Sequence, residues 1–134
     1  MIPAPDTSPA ERVIELPATA AAAGLARRQL TAVPGIAGEV GYKVLLMTSE
    51  LIGVCVQDVE PGPQTTICLT VSVTPDRVRV EVTCRAEGVS LDAALRSSES
   101  PSLGGYGLRI VDRMAEAWGV QPGGTAIWFE LARG

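Results

Sequence analysis

Two alternating runs separated by a three-residue turn constrain this chain more than any other feature. Apolar residues take every second position in Ile67, Leu69, Val71 and Val73, and again in Val78, Val80 and Val82, with Arg77, Arg79 and Glu81 between the latter. A period of two places each set on one face of a pleated strand, and Thr74-Pro75-Asp76 has turn chemistry. An antiparallel hairpin with one apolar and one charged face is expected. Its apolar face needs a second layer to cover it. The same alternation carries Cys84 onto the inward face at the end of its strand.

The cover is legible as helices. Val40, Val44, Met47, Leu51 and Val54 follow helical spacing and predict a helix from about Ala37 to Val59, with one apolar stripe. Thr19 to Ala32 is rich in helix formers, with Ala22, Leu25 and Leu30 facing inward against the arginines. Leu108, Val111, Met114, Ala115 and Trp118 predict a third helix. Two further strands are expected: Arg12 to Leu16, ended by Pro17, and a last one in which Ile127, Phe129 and Leu131 oppose Trp128 and Glu130. These elements predict an α+β two-layer sandwich, with a mixed, mostly antiparallel sheet covered on one face by about three helices.

At 134 residues and 46% hydrophobic, the chain can bury one core and not two. A single domain is expected over 11–134, behind a loose, proline-bearing tail at 1–10. Glu60-Pro61-Gly62-Pro63 reads as a turn, and Arg85 to Leu103 as a long loop with room for one helical turn at Leu91 to Leu95. No internal repeat is visible.

Composition excludes several kinds of chemistry. The net charge is −4 and the basic residues are scattered, so a nucleic-acid partner is not expected. With no histidine, the usual general base and metal ligand are missing. Cys55, Cys68 and Cys84 form no paired spacing, which argues against a zinc site or a disulfide framework and fits reduced thiols in the cytoplasm. The alanine-rich tract from Ala18 to Ala26 is far shorter than a bilayer span, so neither a membrane helix nor a signal peptide is expected.

Two places suggest a ligand. The turn Gly104-Gly105-Tyr106-Gly107 runs into the helix that starts with Leu108-Arg109-Ile110-Val111-Asp112. Backbone without Cβ atoms can approach a bound group closely, and a helix start offers unpaired N–H donors suited to phosphate. A plain flexible connection before a helix is the competing reading. The second place is Glu50, the only acid between Glu39 and Asp58 on its helix. It must be solvated, paired, for instance with Lys43, or functional.

The order strand, two helices, hairpin, long loop, glycine turn, helix and strand resembles the ATP-binding fold shared by gyrase, histidine kinases and the heat-shock chaperone. More narrowly, it resembles the bacterial anti-sigma regulatory factors, small serine protein kinases of that superfamily. The residues that carry the likeness are Ser49-Glu50-Leu51-Ile52, Gly105-Tyr106-Gly107-Leu108-Arg109-Ile110-Val111-Asp112, and Trp118-Gly119-Val120 leading to Gly124-Thr125-Ala126-Ile127-Trp128-Phe129-Glu130-Leu131.

The resemblance implies ATP and magnesium as cofactors and assigns roles residue by residue. Glu50 takes the place of the acid that activates a water or a serine hydroxyl. The amide that holds magnesium four residues later is here Val54, which has no oxygen for a hard cation. The aspartate that binds the adenine amino group is here Cys84, a weak substitute, and Gly88 is what remains of the glycines that follow. Gly105, Gly107 and Leu108 match the element that closes over the phosphates, and Thr125 the hydroxyl that supports the adenine end. The expected function is a cytoplasmic regulatory protein that binds a sigma factor or an anti-sigma antagonist in a partner-switching circuit, with nucleotide binding weakened or lost. A homodimer is compatible with the resemblance. Two alternatives stay open: an active serine kinase in which Asp58 helps hold magnesium, and a structural or dimerisation module without nucleotide.

Overall fold

A computed structural model describes residues 10–57, 66–85, 106–121 and 126–133. Its elements, in chain order, are β1 (Ala10–Pro17), α1 (Ala22–Thr31), α2 (Gly38–Gln57), β2 (Thr66–Val73), β3 (Arg77–Arg85), α3 (Tyr106–Met114), β4 (Ala117–Val120) and β5 (Ala126–Ala132). The strands form one sheet in the order β1-β2-β3-β5-β4, and each neighbouring pair is antiparallel.

The alternating hairpin sets the register of this sheet. Val73 lies opposite Val78, Val71 opposite Val80, Leu69 opposite Val82 and Ile67 opposite Cys84. On the far side of β3, Phe129 pairs with Val80 and Ile127 with Val82, while β1 places Leu16 beside Ile67. Every one of these side chains is buried on the face that the helices cover. Because a one-residue slip would turn the whole set to solvent, burial and register reinforce each other. Each fully buried aliphatic or aromatic side chain contributes about 1.5–3 kcal/mol, so this face supplies most of the stabilisation.

The opposite face carries ions. Arg79 sits 4.4 Å over the Trp128 ring and reaches Glu130 at 3.1 Å, and Arg77 bridges Glu130 at 3.5 Å and Glu116 at 3.6 Å. Solvated pairs of this kind contribute at most about 1 kcal/mol each. The network orders an exposed surface more than it stabilises the fold.

In the helical layer, α1 buries Ala22, Ala26 and Leu30 along one stripe. The expected stripe of α2 is present in Val44, Met47 and Leu51, all fully buried, and is widened by Thr48 and Ile52. α2 packs against α1 on one side and against α3 and β3 on the other. None of the described helices is long and apolar enough to cross a membrane. The tail at 1–9, the turn at 60–63 and the segment 86–103 lie outside the described residues.

The C-terminal third corrects one expectation. The helical spacing places Ala115 and Trp118 on the stripe of the third helix, but α3 ends at Met114 and the chain enters β4. The Glu116 N–H donates to the Glu130 carbonyl at 2.9 Å, and Trp118 pairs with Phe129 across β4 and β5. Trp118 Nε1 also donates to Asp112 Oδ1 at 3.0 Å, tying the strand back to α3. The spacing Val111, Met114, Ala115, Trp118 fits a helix and hides the strand. The strand signal is Trp118-Gly119-Val120 followed by Pro122-Gly123-Gly124 and a second β run, a hairpin pattern in which sheet pairing overrides helical periodicity.

Candidate functional site

The start of α2, the end of α3 and the end of β5 line one cleft of about 430 Å³, which includes Val40, Lys43, Met114, Glu116 and Arg133. Since α2 and α3 pack side by side, the second half of α2 and the start of α3 extend to the other end of the layer. Cys84 is at that end too. It stands one residue beyond the last β3–β5 pair, Thr83 with Ala126, and so beside the point where β5 begins. The topology therefore gathers Glu50, Val54, Cys84, Gly107 and Leu108 at one end, although they are scattered along the sequence.

Within this end the positions differ in character. Glu50 is half-buried on α2 and forms no ion pair or hydrogen bond among the described residues. Lys43, the partner weighed for it, pairs instead with Glu39 one turn earlier, at 3.6 Å. Val54 follows Glu50 by four residues on the same helix. Its backbone continues α2, while its side chain lies outside the described residues. Gly107 and Leu108 fall in the first turn of α3, which carries no acidic residue. Gly88, Gly105 and Thr125 lie outside the described residues.

A model of the histidine kinase-like ATPase domain matches residues 16–131. The chain belongs to this family. No curated protein matches the chain in sequence. Histidine kinase-like ATPase domains generally bind ATP with magnesium.

At the end of β3 the Cys84 thiol is 1% exposed and packed within the hydrophobic core. A thiol is a weak hydrogen-bond acceptor. Val54, four residues after Glu50, is a residue type without a side-chain oxygen for a hard cation. Glu50 keeps a carboxylate that can accept a proton.

Two features were not singled out by sequence reasoning. Thr48 Oγ1 is buried without a hydrogen-bond partner among the described residues. A shallow cleft of about 390 Å³ also opens on the outer side of the helical layer, between Arg27 of α1 and Tyr42, Leu45, Leu46 and Ser49 of α2. Its signal is visible in hindsight: from Val44 to Ser49 α2 has no charge on any face.

Proposed function

We propose that this protein is a regulator resembling the anti-sigma factor serine kinases, which acts by binding protein partners in a partner-switching circuit, with ATP and magnesium binding weakened or lost. The observation that carries this reading is the Cys84 thiol, buried in the core at the position where the family would present its adenine-binding acid. Phosphoryl transfer depends on positioning and on neutralising charge with the metal, so a site with neither the acid nor the magnesium amide is a poor kinase. A fold that keeps its core while its ligand groups change can still present a surface to a partner. A sigma factor or an anti-sigma antagonist, met in the cytoplasm, is the partner class the resemblance offers.

Calorimetric titration with ATP, with and without magnesium, tests the nucleotide part. Weak binding that magnesium does not improve agrees with it. The double substitution Val54→Asn with Cys84→Asp separates a stripped pocket, in which affinity rises, from a closed one, in which it does not. Co-purification with sigma factors and antagonists of the same cell tests the partner part.

One observation favours an active kinase as the second reading. Glu50 is half-buried and makes no ion pair among the described residues, so its carboxylate is not engaged by a cation and can accept a proton. Phosphate transfer from ATP to a serine of a candidate antagonist, abolished by Glu50→Gln, would establish it.

A further inference from the structure

An amphipathic helix on the surface of a two-layer domain normally turns a polar face to water, and a helix apolar on all sides is normally covered. The middle of α2 breaks this pattern. Its inner face is the core stripe of Val44, Met47 and Leu51, while its outer side presents Tyr42, Leu45, Leu46 and Ser49 to the cleft beside α1. Tyr42 is 64% exposed, and no charged residue lies between Lys43 and Glu50.

The rim on the α1 side has a definite sign. Arg27 lines the cleft and Arg28 follows it, both exposed and neither in an ion pair among the described residues. On a chain of net charge −4 this is a local positive edge with no ion-paired acid among the described residues. A second copy of the chain packed with α2 antiparallel to its mate is a poor occupant. The two-fold axis is then perpendicular to the helix and brings the Arg27 edge of one copy to the same edge of the other, so like charges meet.

We infer that the α1–α2 cleft docks an amphipathic helix of a partner protein, apolar where it meets Tyr42, Leu45 and Leu46 and acidic along the flank that meets Arg27 and Arg28. This inference deepens the protein-binding reading by naming the surface and the chemistry it recognises. The apolar contacts supply affinity, with Tyr42 as the aromatic anchor. The two arginines select sign and orientation and make association sensitive to salt.

A displayed library of amphipathic helices about 18 residues long, roughly 27 Å, with flanking positions varied among Glu, Gln and Lys, tests this on the full chain. Acidic flanks should dominate the selected sequences, and binding of the best of them should fall at least about tenfold in Tyr42→Asp and in Arg27→Glu with Arg28→Glu. All three positions are exposed, so the variants should keep the unfolding midpoint of the parent. Selection of neutral or basic flanks, no selected helix, or binders indifferent to the arginine substitutions would overturn the inference. Self-association in sedimentation that Tyr42→Asp abolishes would overturn it in favour of a second copy. An ATP titration of the same samples keeps the two ideas apart: tight magnesium-dependent binding removes the stripped-site reading and leaves the docking surface, while failed selection does the reverse.

Discussion

At the end where β2 turns into β3, polar groups are held in fixed geometry. Arg133 Nη1 donates to the Thr74 carbonyl at 2.6 Å, the Arg133 N–H to the Asp76 carbonyl at 2.8 Å, and the Arg77 N–H to Thr74 Oγ1 at 2.9 Å. At the opposite end, which the proposed function takes as the nucleotide end, Cys84 is buried in the core and Glu50 has no partner among the described residues. On the proposed reading, polar chemistry is present where it closes the fold and largely missing where a nucleotide would need it. Folding and ligand binding are then separable: one end can lose its acceptors while the other holds the sheet and helices in register.

The largest expected effect lies at the stripped end. Cys84→Asp places a carboxylate within the hydrophobic core cluster, and urea unfolding should show a loss of about 3–5 kcal/mol. A loss below about 1 kcal/mol would mean that the thiol borders open space, and the contrast between the two ends would weaken. At the closed end, Gly35→Ala should destabilise by about 1–3 kcal/mol. Gly35 has φ of +95°, and an added Cβ would lie 2.8 Å from Val73 Cγ1. An unchanged midpoint would show that the turn between α1 and α2 is looser than its geometry.

Thr48→Val removes a buried hydroxyl that has no partner among the described residues and keeps the shape of the side chain, so it should stabilise by about 1 kcal/mol. Destabilisation would reveal a bound water or ligand at that hydroxyl. Glu50→Gln should change stability by less than about 0.5 kcal/mol, because no ion pair is lost among the described residues. A larger loss would place Glu50 in a structural network at the stripped end.

Most of the architecture was legible because it rests on periodicity tied to burial. The alternation in β2, β3 and β5 and the stripe of α2 reappear as buried faces. β4 was not legible, because four residues, Ala117 to Val120, continue a helical spacing while their hydrogen bonds go to β5. At the site, the departures at Val54 and Cys84 could be read directly from residue type. The isolation of Glu50 could not, since whether Lys43 turned to Glu39 or to Glu50 depended on side-chain geometry along one helix face. The uncovered side of α2 went unnoticed for a related reason: an apolar run looks the same in sequence whether core or partner covers it.

The central claim is that this domain keeps the family's fold while the wall that holds adenine and magnesium has lost its acceptors. Calorimetric titration of the unmodified chain with ATP, in the presence and absence of magnesium, tests it most directly. The account predicts a dissociation constant of about a millimolar or weaker, equivalent to roughly −4 kcal/mol or less favourable, with no gain from magnesium. Binding in the micromolar range, near −8 kcal/mol and dependent on magnesium, would contradict it.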